Sequence, residues 1–490
     1  MEFISRYVQE QKRYTKNGLR TLFSFTEAEN EGFIKNLKAF GILKTVHNTP
    51  AQLELSDLLD ADIAVADVSA GNDEFFYVFA YVGVITIGNR VIKCYPKYLY
   101  SATEPVAEMK QVLKVLNRYG SKEQIVNLYN GDGETRSFNL LAVILFLMGD
   151  YHESGLYNNT EDIVELNGEG PILWDQTIND GFAMISNNRP YYVNLFTHRS
   201  IDDEQDFFLR LHKCILTECS HQLEESDLLT LFDLLPVDLS VEQLQDFGED
   251  DYILYRLQAE LNIQFNTRKQ ILLKTLYTYI AHHRALEDSY GISMYGTTSF
   301  NLVWEDVCAE VFSNNLQTPL RHLTLPHGVA EGYNPDAKLI DIIEKPQWVG
   351  FDENEQSFTK EAKDTLIPDL ITICDRGGLY QFVIFDAKYY CIHLQPNHPV
   401  SGQPGVGDVT KQYLYQLAYH DFLAAHGITD VRNCFLMPTE QNAIIPLGTA
   451  KMEMLHNLDL CNIAIRLLPA ETMYSYYLSH RCLGADVLAL

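Results

Sequence analysis

The sequence predicts a multidomain protein of α/β and α+β type. An α+β N-terminal domain is expected over residues 1–199, a helical connecting region over 200–290, and over 291–490 a domain built on a mixed sheet flanked by helices. Three observations predict this. The 490 residues exceed what one hydrophobic core fills, so two or three domains are expected. Runs rich in β-branched and aromatic residues near the N-terminus give way to helical repeats after residue 200. In the last third the signals run helix, strands, helix, strand, which suits a mixed sheet with helices packed on it. With 46% hydrophobic and 12% aromatic residues, the chain can fill such cores and is not disordered.

Phe75–Ile87 (FFYVFAYVGVITI) reads as strand, Gly88-Asn89 as a two-residue hairpin loop, and Arg90–Tyr95 as the return strand, ended by Pro96-Lys97-Tyr98. Val106–Tyr119 and Asn139–Met148 carry helical patterns. Asn167–Pro171 reads as a turn, followed by a short strand, ILWDQTI. In the second region Phe207, Phe208, Leu211, Cys214 and Ile215 repeat at helical spacing, as do Ile271, Leu272, Leu276, Tyr279, Ile280 and His283. The neighbours His282 and His283 are not read as a metal pair, because adjacent helical residues diverge by about 100°.

The third region opens with a helix at Ser299, striped by Phe300, Val303, Trp304, Val307, Cys308, Val311 and Phe312. Strands are expected at Lys338–Ile343, Leu366–Cys374 and Leu379–Tyr390, then a Gly/Pro-rich loop over Gln395–Gly407. Asp408 caps the next helix, which ends at Gly427 and buries Leu414, Leu417, Ala418 and Phe422. Strands at Val431–Met437 and Ile463–Leu468 follow.

The net charge is −29, and a chain that meets a polyanion must overcome that field. Gln222–Asp251 holds 10 carboxylates and no Lys or Arg, reading as a solvated acidic face or, more sharply, a docking patch for a basic partner. The nine cysteines are scattered with no C-x-x-C pair, which suits a reducing, cytoplasmic setting. The first residues, MEFISRYVQEQKRYTK, lack the apolar core of a signal peptide. No run of 18 apolar residues occurs, so no membrane-spanning segment is expected.

The chemistry concentrates between Ile367 and Lys388. Two apolar strands flank the turn sequence Asp375-Arg376-Gly377-Gly378. If Gly377-Gly378 is the loop, Asp369 stands directly opposite Asp386; if all four residues form it, the two are diagonal but share a face. Facing carboxylates in apolar strands repel and lose hydration, and a divalent cation between them reverses that balance. Lys388, two residues past Asp386, projects to the same face and can hold an attacking water. A D-x-K triplet alone is common in strand ends; its coupling to a Pro-Asp 17 residues earlier, across a Gly-Gly turn, points to a metal-dependent phosphodiester hydrolase. On the Ser299 helix, Glu305 and Glu310 lie on opposite borders of the apolar stripe, so only one can complete the site, and Glu305 is the better placed. Lys411, Gln412 and Tyr415 line one side of the following helix, where they touch phosphate, orient Lys388, or simply border the apolar stripe.

At these residues the sequence resembles the PD-(D/E)XK nuclease superfamily: a helix acid (Glu305), Pro-Asp (Asp369), D-x-K (Asp386, Lys388) and a following helix with Lys411, Gln412 and Tyr415. More narrowly, it is similar to the LlaJI-type restriction endonucleases and to McrC, the nuclease subunit of McrBC systems. That likeness includes YVGVITIGNRVIKCYPKY (Tyr81–Tyr98) and GPILWDQTI (Gly170–Ile178). The resemblance implies a PD-(D/E)XK restriction-endonuclease-like fold for the C-terminal domain. It implies Mg²⁺, with Mn²⁺ as substitute, held by Asp369, Asp386 and Glu305, and double-stranded DNA cut in a restriction, phage-defence setting. It also implies a separate McrB-like AAA+ NTPase that uses GTP. The sequence contains no Gly-Lys dipeptide and so no Walker A loop, which places any nucleotide motor on another chain. Two rival readings are a non-catalytic DNA-binding or NTPase-stimulating subunit and a stand-alone structure-selective repair nuclease. The intact Asp369/Asp386/Lys388 set argues against the first, and the large N-terminal region and acidity against the second.

Overall fold

The computed structural model describes residues 3–47, 75–101, 103–123, 139–158, 160–202, 206–282, 292–458 and 460–490. It divides into two compact units. The smaller takes Met1–Phe3, Thr86–Asn89 and Gly131–Met294; the larger takes Ile4–Ile85, Arg90–Asn130 and Tyr295–Leu490. Among the described residues no helix is long and apolar enough to cross a membrane.

The smaller unit holds the helices Leu140–Ser154, Phe207–Glu225, Leu229–Phe232, Asp250–Ile263 and Thr267–His282. Leu211, Cys214, Ile215, Leu272, Leu276 and Tyr279 are buried as their spacing predicts, while Ile271 is exposed and His283 lies outside the described residues. Arg268 clamps Asp150 through two N–H donors, at 3.1 and 2.9 Å, and the Gly155 carbonyl at 2.7 Å. Two antiparallel ladders, Thr160–Leu166 with Phe196–Asp202 and Ala183–Ser186 with Arg189–Tyr192, belong to the same unit. The strand expected at ILWDQTI is instead mostly a short helix, Trp174–Asp180; only Ile172 makes a bridge, to Thr197. Polar Asp175, Gln176 and Asn179 separate its apolar residues at helical rather than alternating spacing.

The run Phe75–Ile87 is not one strand. It breaks at Ala80-Tyr81 into two strands that enter different sheets. Phe75–Phe79 lies between Arg13–Tyr14 and Leu43–His47, while Val82–Ile87 joins a sheet ordered Ile4–Gln9, Arg90–Tyr95, Val82–Ile87, Ile292–Thr297. The Gly88-Asn89 loop connects Val82–Ile87 to Arg90–Tyr95 as predicted, with Gly88 at φ 52°.

The C-terminal sheet has five strands in the spatial order Leu370–Asp375, Tyr380–Ala387, Asp430–Thr439, Ile463–Pro469, Ile445–Ala450. The first and last pairings are antiparallel and the two central ones parallel. Phe382–Phe385 and Cys434–Met437 are fully buried, as strands covered on both faces must be. Phe382 and Ile384 pack with Tyr415, Tyr419 and Phe422 on one face, and Phe385 stacks on Phe312 at 5.4 Å on the other. The strand expected at Lys338–Ile343 is a 3₁₀ turn, Leu339–Ile342, whose buried Leu339 and Ile343 feed the same core. An exposed hairpin, Gln347–Phe351 with Ser357–Glu361, was not anticipated.

Candidate active site

The hairpin register decides the site. Leu370 pairs with Phe385 and Asp375 with Tyr380, so one step beyond the ladder Asp369 falls opposite Asp386. This is the directly facing alternative of the two. The loop is Arg376–Leu379, wider than the Gly-Gly pair, but it is centred on Gly377 and Gly378 at φ 69° and 95° and keeps the same register. Asp369 Oδ2 accepts the Ala387 N–H at 2.8 Å, which fixes one carboxylate against the backbone beside the other. Asp386 is only 5% exposed. Burial first, then the hydrogen bond and charge of Asp369, push its pKa well above the carboxylate range, against the pull of Lys388.

The Lys388 ammonium bridges Asp386 Oδ2 and Asp408 Oδ1, each at 3.1 Å. Burial works against its charge, but Asp386, Asp408 and Asp369 outweigh burial and hold it protonated above the ordinary lysine range. Asp408 was expected only as a helix cap. The helix begins at Val406, and Asp408 stands in its first turn, where its other oxygen accepts the Gly405 N–H at 3.1 Å.

The rest of that helix corrects the expected face. Leu414 and Leu417 are 41% and 40% exposed, whereas Gln412, Tyr415, Gln416 and Tyr419 point inward. Tyrosine rings supply the apolar burial while their hydroxyls find carbonyls. Tyr415 donates to Ile367 O at 2.8 Å, just ahead of Pro368-Asp369, and Tyr419 donates to Leu339 O at 3.1 Å. The helix also breaks at Tyr419 before continuing over His420–Ala425. Gln412, one turn beyond Asp408 on the same face, is fully buried and neither of its amide atoms has a hydrogen-bond partner. Lys411 is exposed.

Glu305 and Glu310 diverge as their spacing predicts. Burial, then the charge of Asp369, pushes Glu305 up to about 7, with Lys388 and Asn301 opposing. Glu310 pairs with Arg118, whose guanidinium also lies 4.0 Å from the centroid of the Tyr477 ring. The helix bearing Glu305 is keyed to the sheet by Trp304, whose indole N–H donates to Leu436 O at 3.1 Å. Beyond the helix, Asn314 Oδ1 accepts from Ile371 N at 3.1 Å and Asn315 Oδ1 from Ile373 N at 2.9 Å, so the outer edge of the Leu370–Asp375 strand is not left bare.

Sequence reasoning missed Asp408, Tyr389 and Glu10. Tyr389 donates to Glu10 Oε2 at 2.6 Å, and Lys97 packs on the Tyr389 ring at 4.9 Å. The Pro96-Lys97-Tyr98 string, read as a strand end and as part of the family likeness, therefore lies against the residue after Lys388.

A restriction endonuclease is the class these relationships indicate: residues 81–331 and 332–471 match the LlaJI restriction endonuclease family, and the chain belongs to it. It is similar to the Type II restriction enzyme BsuMI component YdjA of Bacillus subtilis (strain 168), with 27% identity over 419 residues, 84% of this chain and 83% of that protein. Among solved structures it is similar to a half-complex from a tetradecameric assembly of Thermococcus gammatolerans McrB AAA+ hexamers with bound McrC, at 12% identity and TM-score 0.36, covering 97% of this chain and 99% of that one. A second likeness is to the T. gammatolerans McrBC complex, at 12% identity and TM-score 0.21 over 58% of this chain and 85% of that one.

Proposed function

We propose that this chain is the metal-dependent DNA endonuclease subunit of a restriction system, with a PD-(D/E)XK nuclease fold in its C-terminal part. The observation that carries the reading is the Asp369–Asp386 pair, facing across the hairpin with Lys388 beside it. The donor set fits a hard divalent cation. A buried carboxylate, Asp386, and a half-buried one, Asp369, share one place, and a third, Glu305, is itself largely desolvated and feels the charge of Asp369. Among the described residues no group of three His, Cys, Asp or Glu side chains is gathered closely enough to hold a metal ion, so the facing pair Asp369 and Asp386 is the core of the candidate centre and Glu305 stands apart from it. Mg²⁺ takes one or two carboxylates and keeps waters, and Mn²⁺ substitutes.

Asp369 and Asp386 would hold the ion and Glu305 would complete its shell. A bound ion would supply Lewis-acid polarisation of the scissile phosphate and lower the pKa of the attacking water. Lys388 positions the attacking water and faces the negative charge that develops on the phosphate. Tyr415 holds the Ile367 carbonyl and so the approach to Pro368-Asp369. The unpaired amide of Gln412 orients Lys388 or a phosphate oxygen.

We assign the nucleotide motor to a separate McrB-like AAA+ protein that uses GTP. Family membership and the absence of a Walker A loop support this. The surface assigned to that partner is on the smaller unit, where Trp174, Ile178, Phe182, Met184, Ile185 and Tyr191 are all exposed. The test is cleavage of duplex DNA with Mg²⁺ or Mn²⁺, with chelator, and with Asp386→Ala. Cleavage that survives chelation, or full activity in the variant, would overturn the reading.

A further inference from the structure

Lys388 holds two carboxylates with different prospects. Its ammonium is 3.1 Å from Asp386 Oδ2 and 3.1 Å from Asp408 Oδ1. Asp386 belongs to the pair assigned above to the cation, and Asp408 does not. An ammonium left without Asp408 would keep Asp386 Oδ2 as its remaining acceptor, and would compete with any cation entering between Asp386 and Asp369.

Asp408 is fixed where it can prevent this. Its second oxygen is tied to Gly405 N–H. Its helix is anchored to the sheet by Tyr415 on Ile367 O and by Gln416, whose Oε1 accepts from Asn433 Nδ2 at 3.0 Å and from Cys461 N at 3.1 Å. The carboxylate therefore cannot follow the lysine towards Asp386. Resting on the metal-centre reading, we propose that Asp408 is a positioning residue: a second counter-ion that draws the Lys388 ammonium to the helix side and leaves Asp386 available to a divalent cation.

Calorimetric titration of the full chain with Mn²⁺ tests this without any cleavage step. Asp408→Asn keeps a side-chain oxygen for Gly405 N–H, so the helix start survives. We expect it to weaken Mn²⁺ binding about tenfold, the low end for outer-shell partners of a metal site. Asp408→Glu should restore binding. With the ammonium removed by Lys388→Met, adding Asp408→Asn should change affinity by less than about twofold, because the competitor it restrains is gone. Equal weakening in both backgrounds would show that Asp408 acts through its own charge or as a ligand, and would overturn the proposal. So would unchanged affinity in Asp408→Asn. Wild-type protein that takes up no Mn²⁺ would overturn the metal-centre reading as well, which separates that failure from a failure of Asp408 alone.

Discussion

Trp304 and Lys388 share one acceptor. The Trp304 indole N–H and the Lys388 backbone N–H both end on the Leu436 carbonyl, at 3.1 and 2.9 Å. A carbonyl has two lone pairs, so both donors are satisfied. The consequence is positional: the helix residue next to Glu305 and the residue just past the strand that carries Asp386 are registered to a single atom.

Trp304→Phe should separate packing from positioning. The Lys388 backbone bond remains, so the sheet end stays formed. Loss of the indole donor and its buried volume should cost about 1–3 kcal/mol. DNA cleavage should fall further than the stability loss accounts for, because Glu305 is no longer keyed to the strand. Urea unfolding and single-turnover cleavage measure the two effects. Unchanged cleavage alongside reduced stability would mean the shared acceptor serves folding only.

Glu305→Gln and Glu310→Gln should behave oppositely. The first removes a carboxylate whose proton affinity Asp369 raises, and should raise the Mg²⁺ concentration needed for half-maximal cleavage. The second breaks a partly buried pair with Arg118 and should cost about 1 kcal/mol or less, with cleavage unchanged. Metal titrations of both variants check this, and the reverse pattern would transfer the third ligand to Glu310.

Asp386→Asn should stabilise the metal-free protein at alkaline pH. The sign follows from the raised folded-state pKa of Asp386, caused chiefly by burial and then by Asp369. The folded state prefers the neutral carboxyl, so this group opposes folding increasingly as pH rises above its unfolded value near 4. In chelator, the variant should melt above wild type at pH 8, and the gap should close towards pH 4. Added Mg²⁺ should raise the wild-type melting temperature and leave the variant where it was. A variant less stable than wild type at pH 8 would show that the Lys388 pair outweighs the repulsion.

The parts of the site legible in the sequence are those fixed by local periodicity. Strand alternation and a Gly-Gly turn place Asp369, Asp386 and Lys388 on one face, and helical spacing sets Glu305 apart from Glu310. What escaped depends on contacts that no local pattern encodes. Asp408 gives a strong capping signal, which hid its pairing with a lysine across the Gly/Pro-rich loop. Glu10 and Tyr389 meet across 379 positions. On the Val406–Ala418 helix, hydrophobicity favoured Leu414 and Leu417 as core, but Tyr415 and Tyr419 can bury rings and still satisfy their hydroxyls, so tertiary packing chose the other face.

In the smaller unit, acid should act through His212. The ring is buried, and Nδ1 accepts the Tyr157 N–H at 3.0 Å. Burial, opposed by Asp150 and aided by Arg268, lowers its pKa to about 4. The folded state therefore keeps the ring neutral while the unfolded chain binds a proton below about 6.5. Stability is fully present above that value and is lost as pH falls towards 4, by about 3 kcal/mol in total. His212→Gln keeps an acceptor without the charge, and should flatten this acid loss when unfolding is followed by circular dichroism. An unchanged acid slope would place the sensitivity elsewhere.

The isolated chain should be a poor nuclease until an NTPase partner is added. Non-specific DNA affinity comes mainly from Lys and Arg neutralising phosphates. At a net charge of −29, long-range repulsion opposes that encounter, most strongly at low salt where screening is weak. A partner that grips DNA removes the handicap. The exposed residues assigned to its docking surface include Phe182 at 78% and Ile185 at 77%. Cleavage should therefore be slow for the purified chain, and faster with the AAA+ partner and GTP. Phe182→Ser with Ile185→Ser should abolish the stimulation while leaving the slow basal rate intact. Rapid, site-specific cleavage by the chain alone would instead favour a stand-alone nuclease. Stimulation that survives the double substitution would move the docking surface, with the acidic stretch Gln222–Asp251 the next to test.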